Sequence, residues 1–201
     1  MTPTRERILQ HGLDLLSQSG LSGVTLGVLA QDVGMSKSGL FAHFRSKDEV
    51  QIALLRHTAE VANQHVVAPA MRAAEGLARL KALIKNWLGW STKAGLRGGC
   101  PVAAALFELD DTEGAVRVQV VEMEAHWRGL LTKLVKDAVQ LGHLRRHLDV
   151  DQFVWELSGI YLTHHASRRF LRDARSDARA RIAVDALIER AQAKKVRTAR
   201  G

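Results

Sequence analysis

Few residues of this 201-residue chain have the type and spacing that catalysis requires. His164 and His165 are adjacent, so they would point to different faces of a helix, and no carboxylate lies beside them at metal-ligand spacing. The single cysteine, Cys100, can form neither an internal disulfide nor a zinc site built from several thiolates. The chain also has no glycine-rich phosphate loop after a strand and no nucleophile elbow. The sequence therefore predicts a protein that is not an enzyme and that holds no metal or cofactor.

The residues between positions 25 and 47 have the pattern of a DNA-binding unit instead. A short helix is predicted to begin after Ser36, which can cap it, and to run to about Phe44. Its residues Leu40 and Phe44, four apart, face inward together. The other face of this helix carries Ser36, Lys37, Ser38, Ala42 and His43. Gly39 has no side chain and would let the helix lie close to DNA, whose major groove is wide enough to admit a helix. This segment is therefore the candidate recognition helix.

Two further helices must position the recognition helix. Thr25 caps a helix predicted over 26–33, and Gly34 forms the turn that follows it, which gives a helix-turn-helix. Such a unit cannot bury its own apolar face. A third helix is predicted over 4–19, with a threonine at position 2 or 4 as its cap and Gly20 as its end. It would cover the apolar face of the helix-turn-helix.

The rest of the chain is also predicted to be helical. Ser46 and Glu49 form a capping box at the start of a long helix that runs to about Val67 and is ended by Pro69. Further helices are predicted over 72–94, 101–109, 113–141, 150–171 and 176–195. Glycine and proline lie between these segments, and alternating β-branched runs are few. The predicted fold class is therefore all-α.

The composition is that of an ordinary globular protein, with 46% hydrophobic and 25% charged residues. No stretch approaches the roughly 18 apolar residues of a membrane helix. The N-terminus lacks the apolar centre of a signal peptide. We therefore expect a cytoplasmic protein with no membrane partner.

The net charge of +8 fits an acidic partner such as nucleic acid, but its distribution does not point to the helix-turn-helix. Residues 1–50 contain five basic and five acidic groups, whereas residues 168–201 contain eleven basic and four acidic groups. The prediction that the protein binds DNA therefore rests on the sequence pattern of residues 25–47 and not on net charge. A protein that binds a membrane surface through this basic C-terminal stretch is an alternative, although the apolar face of the stretch is mostly alanine, which anchors poorly.

The segment from Thr25 to Val50 resembles the DNA-binding region of the TetR/AcrR regulators. In that family a threonine opens the second helix, an alanine and a glycine lead into the turn, and the recognition helix ends with tyrosine, His-Phe and then Ser-Lys-Asp or Ser-Lys-Glu. The resemblance implies phosphate contacts from Thr25, His43 and Lys47. It places Ser36, Lys37, Ser38 and Gly39 at or near base edges, and Ala42 opposite a thymine methyl group or nothing. Phe41 stands where the family has tyrosine, so a hydroxyl contact to phosphate is missing, although the ring can still pack against the sugar-phosphate chain.

The same resemblance implies two domains: a DNA-binding domain over 1–50 and a helical domain for ligand binding and dimerisation over 51–201. The protein would be a homodimeric repressor that a small molecule releases from a palindromic operator. The last two long helices would form the dimer interface. One stripe for that interface is Phe153, Leu157, Ile160, Tyr161 and His164; a second is Ile182, Ala183, Ala186 and Leu187. A core role within one subunit is the alternative for both stripes.

Aromatic and polar residues in the larger domain are candidates for effector contact, because small-molecule sites are lined by aromatics with a few polar groups. These candidates are Trp87, Trp90, Cys100, Phe107, Trp127, Tyr161 and His164. Aromatics at helical spacing also occur as plain core. Cys100 lies in Gly-Gly-Cys-Pro at a predicted helix start, where exposed N–H groups would favour the thiolate. Sensing of electrophiles or oxidants through Cys100 is therefore an alternative function, and a small buried residue is the simpler interpretation.

Overall fold

The computed structural model describes residues 3–193, and within that range the chain forms eleven α-helices and one π-helical turn, with no strand. The helices are α1 (Pro3–Gly23), α2 (Leu26–Asp32), α3 (Lys37–Phe41), α4 (Lys47–Ala62), α5 (Ala68–Met71), α6 (Leu77–Trp87), α7 (Trp90–Lys93), α8 (Pro101–Glu108), α9 (Ala115–Gln140), α10 (Val150–Arg169) and α11 (Ser176–Ala191). The predicted all-α class is confirmed. Thr2, one of the candidate caps, and the basic residues 194–201 lie outside the described range.

Glycines account for most differences between the predicted and the observed helices. Gly20 interrupts α1 with φ 68° and ψ −174°, as predicted, but helical structure resumes for three more residues. The single helix predicted over 72–94 is two helices, because Gly76 (φ 79°) and Gly89 (φ 73°) adopt backbone angles that a regular helix does not allow.

The prediction that Pro69 ends the long fourth helix is wrong. Residues Asn63–Val67 form a π-helical turn after α4, and Pro69 lies inside α5, which follows directly. The amide of Ala68 donates to the carbonyl of Asn63, five residues earlier. Pro69 has no N–H to donate, so the helical path continues through it without that hydrogen bond.

The contacts divide the chain into two compact units. Among the described residues, the first contains 3–68 together with Gly89–His126, and the second contains Pro69–Leu88 together with 127–193. In the first unit α1 packs against α2, α4 and α8. Its core includes Ile8, Leu9, Leu16, Leu29, Leu40, Phe44, Leu54, Leu55, Ala105 and Val120. The recognition helix is therefore anchored by Leu40 and Phe44, the two residues predicted to face inward.

In the second unit α10 and α11 pack against each other. The first predicted interface stripe is buried inside this unit at Phe153, Leu157, Tyr161 and His164, so the alternative core role applies to those four residues. The outward faces carry Trp155, which is 64% exposed, and Ile182, which is 69% exposed. The second stripe is divided, because Leu187 is buried whereas Ala186 is exposed. None of the helices within residues 3–193 is long and apolar enough to cross a bilayer.

Candidate nucleic-acid interface

Three hydroxyl side chains fix where the helices of the DNA-binding segment begin. Thr25 Oγ1 accepts a hydrogen bond from the amide of Val28 at 3.2 Å, and Ser36 Oγ accepts one from Gly39 at 3.0 Å. Ser46 Oγ accepts one from Glu49 at 3.1 Å. Each cap residue has extended backbone angles, as an N-cap requires. The three predicted caps are confirmed.

The turn between α2 and α3 depends on the backbone of Gly34. Its φ of 68° is left-handed, and a Cβ there would meet nothing within 4 Å, so glycine is favoured for its conformation and not for lack of space. The amides of Gly34 and Met35 return to the carbonyls of Gln31 and Ala30, at 3.2 and 2.8 Å. These bonds close α2 and direct the chain into Ser36.

The recognition helix is shorter than predicted. Regular structure ends at Phe41, although the amides of His43 and Phe44 both still bond to the carbonyl of Leu40, at 2.9 and 3.1 Å. Leu40 and Phe44 are fully buried, so the middle and the C-terminal end of the segment are held by the core. Arg5 of α1 places its guanidinium 4.7 Å from the centroid of the Phe44 ring, a cation–π contact that no sequence pattern indicated.

The residues predicted to contact DNA belong to α3, to the caps of α2 and α3, to the turn after α3 and to the start of α4. Most are exposed: Thr25, Ser36, Lys37, Ser38, Phe41 and Lys47. Gly39 and His43 are half-buried. Phe41 is 48% exposed although it is a large apolar residue, whereas Leu40 beside it is 0% exposed. A solvent-facing aromatic ring on this helix leaves apolar surface for a partner to cover.

The capping box at α4 differs in one detail from the prediction. The Glu49 carboxylate accepts a hydrogen bond from the amide of Arg45 at 2.8 Å, one residue before the N-cap Ser46. Its negative charge is therefore held at the N-terminus of α4, where the helix dipole stabilises it. Lys47, in the first turn of the same helix, stays exposed.

Three of the predicted effector residues meet in the second unit. Trp87 of α6 stacks on Tyr161 of α10 with ring centroids 3.9 Å apart, and it meets Trp127 of α9 edge-on at 4.9 Å. We call these three rings the aromatic junction. The indole Nε1 of Trp127 is buried with no hydrogen-bond partner among the described residues, and so is Oγ of Ser158, one turn before Tyr161. Sequence reasoning did not identify Ser158, since a single serine within a helix gives no signal.

His164 is tied to the neighbouring helix of the second unit. Its Nε2 lies 2.7 Å from Oδ1 of Asp177, in the first turn of α11, and Arg168 also reaches that carboxylate. The hydrogen bond from His164, with the charges of Arg168 and Arg181, outweighs burial and holds the pKa of Asp177 below its ordinary value. The pKa of His165 is lowered by burial first, and then by Arg169 and His164.

The other predicted effector residues belong to the first unit. Trp90 and Cys100 are buried, at 2% and 8% exposure, whereas Phe107 on α8 is 60% exposed. Cys100 is the N-cap of α8 and Pro101 follows it in the first turn, so the predicted helix start is confirmed. Within residues 3–193 no group of three histidine, cysteine, aspartate or glutamate side chains could hold a metal ion.

Two family profiles match the chain. The tetR family profile of bacterial regulatory proteins covers residues 8–54, and the tetracyclin repressor-like C-terminal domain profile covers residues 76–184. The chain belongs to the TetR family. It therefore belongs to a family of transcription regulators with a helix-turn-helix DNA-binding region, a family that is not enzymatic.

Curated relatives of this TetR-family regulator are similar over part of their length. The HTH-type transcriptional regulator RutR of Escherichia coli is 32% identical over 111 residues, which are 55% of this chain and 49% of RutR. An uncharacterised HTH-type regulator of Mycobacterium tuberculosis is 26% identical over 121 residues, 60% of this chain and 61% of that protein. The chain thus spans about half the length of RutR.

Solved structures agree with the fold over nearly the whole regulator. A TetR-family regulator from Cytophaga hutchinsonii has a TM-score of 0.84 at 19% identity, and the match covers 97% of this chain and 99% of that one. One from Chloroflexus aurantiacus has a TM-score of 0.81 at 22% identity, with 92% of both chains covered. AibR, in complex with isovaleryl coenzyme A and operator DNA, has a TM-score of 0.70 at 20% identity and covers 92% of this chain and 96% of its own.

Proposed function

We propose that this regulator is a cytoplasmic homodimeric repressor that leaves a palindromic operator when a small molecule binds. One observation carries the DNA part: the recognition helix is anchored by buried Leu40 and Phe44, while Ser36, Lys37 and Ser38 on its other face are exposed to solvent. A preorganised polar helix of this kind fits the major groove. Residues 1–50 carry all the proposed DNA contacts. Effector binding and dimerisation are assigned to residues 51–201, although the compact unit that holds the DNA-binding segment also includes Gly89–His126.

The DNA contacts divide by the chemistry of each side chain. Thr25 accepts the amide of Val28 through its oxygen, so its own hydroxyl proton is available for a phosphate oxygen. Lys47 and His43 are assigned to phosphate contacts as well. Ser36 Oγ already receives the amide of Gly39 and lies 3.1 Å from Ser38 Oγ, so its hydrogen-bonding capacity is partly used. Lys37 and Ser38 are therefore the main readers of base edges, and Gly39 permits the close approach.

The proposed dimer uses the outward faces of α10 and α11. Trp155 and Ile182 are large apolar side chains with more than half of their surface exposed in one subunit. Gly159, one turn after Trp155, and Ala186, one turn after Ile182, are small and exposed, which permits close approach of a second helix pair. Exposed apolar surface of this kind marks protein interfaces. A two-fold operator also requires a two-fold protein.

The proposed effector site is the aromatic junction. A buried N–H without a partner costs about 1–3 kcal/mol, and a ligand with a hydrogen-bond acceptor would remove that cost at Trp127. The effector is therefore an apolar or weakly polar molecule that carries an acceptor. AibR was solved with operator DNA and isovaleryl coenzyme A, in which a short apolar acyl group is attached to a charged carrier, and KstR2 of Mycobacterium tuberculosis is a ketosteroid transcriptional regulator. Effector contact by Trp90, Cys100, Phe107 and His164 stays a prediction.

Selection of binding sites from random DNA, followed by footprinting, tests the DNA part. We expect a palindrome with half-site centres about one helical turn or slightly more apart. The double variant Lys37→Ala/Lys47→Ala should lose binding. A matched control, Lys133→Ala/Lys136→Ala on α9, removes the same charge from exposed positions and should keep it. Equal loss in both variants would mean that only net charge matters and would contradict the assignment.

Release from the selected operator tests the effector part. The parent and Trp127→Phe, each bound to operator DNA, are titrated with the same panel of uncharged aromatic compounds that carry one acceptor. At least one compound should release the parent and should release Trp127→Phe at higher concentration. A compound that releases both proteins equally would show that the Trp127 N–H is not part of the effector site.

A further inference from the structure

The second half of α1 is held in place by a small set of residues that lie outside the DNA-binding segment, residues 25–50. Five residues of the first unit take part, and we call them the α1 brace: Asp14, Ser17, Arg97, Gly98 and Glu108. Two belong to α1, two to the loop between α7 and α8, and one to the last turn of α8. The family profile for the DNA-binding region covers residues 8–54, so three of the five lie outside it.

Arg97 joins the loop to the middle of α1 through both its backbone and its side chain. Its amide donates to Asp14 Oδ1 at 2.9 Å, and its Nε donates to Asp14 Oδ2 at 2.6 Å. Burial acts to raise the pKa of Asp14, but the hydrogen bonds and the charge of Arg97 outweigh it and hold that pKa below its ordinary value. Such bidentate contacts fix orientation as well as distance.

The next two residues of the loop continue the attachment one turn further along α1. The amide of Gly98 donates to Ser17 Oγ at 3.0 Å, and the amide of Gly99 donates to the Ser17 carbonyl at 2.9 Å. A Cβ on Gly98 would overlap the backbone oxygen of Ser17, so no other residue fits without a backbone shift. The loop therefore lies in direct backbone contact with α1.

Glu108 holds the end of α1, where Gly20 has broken the regular helix. Its two carboxylate oxygens accept the amides of Leu21 at 3.2 Å and Ser22 at 3.0 Å, which are the free donors of the helical turn that restarts there. From the other side, Nε2 of Gln51 donates to the Leu21 carbonyl at 2.6 Å. This turn leads directly into Thr25, the cap of α2 and a proposed phosphate contact.

We propose that the α1 brace sets the half-site spacing that the dimer accepts, so that Arg97 and Glu108 are positioning residues for operator selection. The inference rests on the proposed function, since spacing has meaning only for a dimer on a palindrome. The brace fixes α1 at its middle and its end, and α1 packs against α2, which leads into the recognition helix. Without the brace, each recognition helix gains freedom to follow a displaced half-site.

The test uses the full chain and three operators: the selected palindrome, and versions with one base pair inserted or removed at its centre. One base pair moves a half-site by about 3.4 Å and roughly 34° around the axis. For the parent, we expect each altered operator to bind about 5- to 150-fold more weakly, the range for one mismatched base pair. The variant Arg97→Ala/Glu108→Gln leaves the net charge unchanged, as does the control Lys133→Ala/Asp137→Asn, which breaks an ion pair within α9.

The spacing penalty is the dissociation constant on an altered operator divided by that on the selected palindrome. In Arg97→Ala/Glu108→Gln this ratio should fall by roughly two- to twelvefold, the fold-change that corresponds to one net hydrogen bond. The control should keep the parent's ratio. Weaker binding by the same factor on all three operators would show a merely structural role and overturn the inference. If the double variant does not fold, Arg97→Ala against Lys133→Ala gives the same comparison. A parent that binds all three operators equally would overturn the proposed dimer on a palindrome instead.

Discussion

The DNA-binding segment of the first unit and the aromatic junction of the second differ in whether their polar groups have hydrogen-bond partners. In the segment, the three capping hydroxyls each accept a backbone amide, and Lys37, Ser38 and Lys47 face solvent. In the junction, the indole N–H of Trp127 is buried with no partner among the described residues. The first arrangement is complete before DNA arrives and can bind through surface contacts alone. The second leaves a buried donor unsatisfied, which is the condition that a ligand with an acceptor would relieve.

The largest expected effect separates two lysines within the DNA-binding segment. Lys37→Ala should relax the preference for one base pair at a cost of about 1–3 kcal/mol in discrimination, because Lys37 is assigned to base edges. Lys47→Ala should weaken binding to all sequences alike and reduce the slope of log affinity against log salt by about one unit. Fluorescence anisotropy with single-base operator variants across a salt series measures both. If Lys37→Ala weakens binding to all operator variants by the same factor, Lys37 contacts phosphate and not a base edge.

The aromatic junction is tested by removing its unpartnered donor. Trp127→Phe deletes a buried N–H whose cost is about 1–3 kcal/mol, which offsets the loss of ring contact. We therefore expect the free energy of unfolding in urea to change little. The control, Trp87→Phe, removes part of the ring that touches both Tyr161 and Trp127, and it should destabilise by about 1–3 kcal/mol. Equal destabilisation by the two variants would mean that the Trp127 N–H is satisfied in solution.

A smaller gain is expected at Phe41 on the DNA-facing surface. Phe41→Tyr restores the hydroxyl that the family has at this position, and one neutral hydrogen bond to phosphate is worth about 0.5–1.5 kcal/mol net. Stability should stay nearly unchanged, because the ring is already 48% exposed. Operator affinity and thermal unfolding of the variant measure the two effects. Unchanged affinity would show that the ring does not face the DNA backbone.

The smallest effect concerns the pH dependence of the second unit. The lowered pKa of Asp177 means that its carboxylate stabilises the fold above the ordinary aspartate pKa, and that this contribution is lost as the pH falls through the lowered value. Asp177 is about half exposed, so the contribution is about 0.2–1 kcal/mol at neutral pH. The difference in urea stability between the parent and Asp177→Asn should therefore shrink towards pH 3. If this difference in stability stays constant with pH, the charge of the Asp177 carboxylate is not its cause.

Short-range interactions explain which parts of the fold could be predicted. The caps at Thr25, Ser36 and Ser46 each bond to an amide three residues later, and the inward pair Leu40 and Phe44 is one turn apart. All of these follow from local spacing, and the helix-turn-helix was identified from them.

Contacts between distant parts of the chain could not be predicted. Glu108 reaches Leu21 across 87 residues, and Arg97 reaches Asp14 across 83. The junction draws its three rings from three different helices. Nothing in the local pattern of α10 distinguishes a stripe that packs inside its own subunit from one that meets a partner, so Phe153 and Leu157 were open to both interpretations.

The π-helical turn Asn63–Val67 has a consequence for chain length. Along this helix the buried positions are Thr58, Val61, Val66 and Ala70, separated by three, five and four residues. A regular helix keeps one face with steps of three or four, and the step of five is accommodated by the wider turn. A chain with one residue fewer between Val61 and Val66 would have steps of three, four and four, and would bury the same side chains on a regular helix. The helix itself should therefore tolerate a one-residue deletion at this turn.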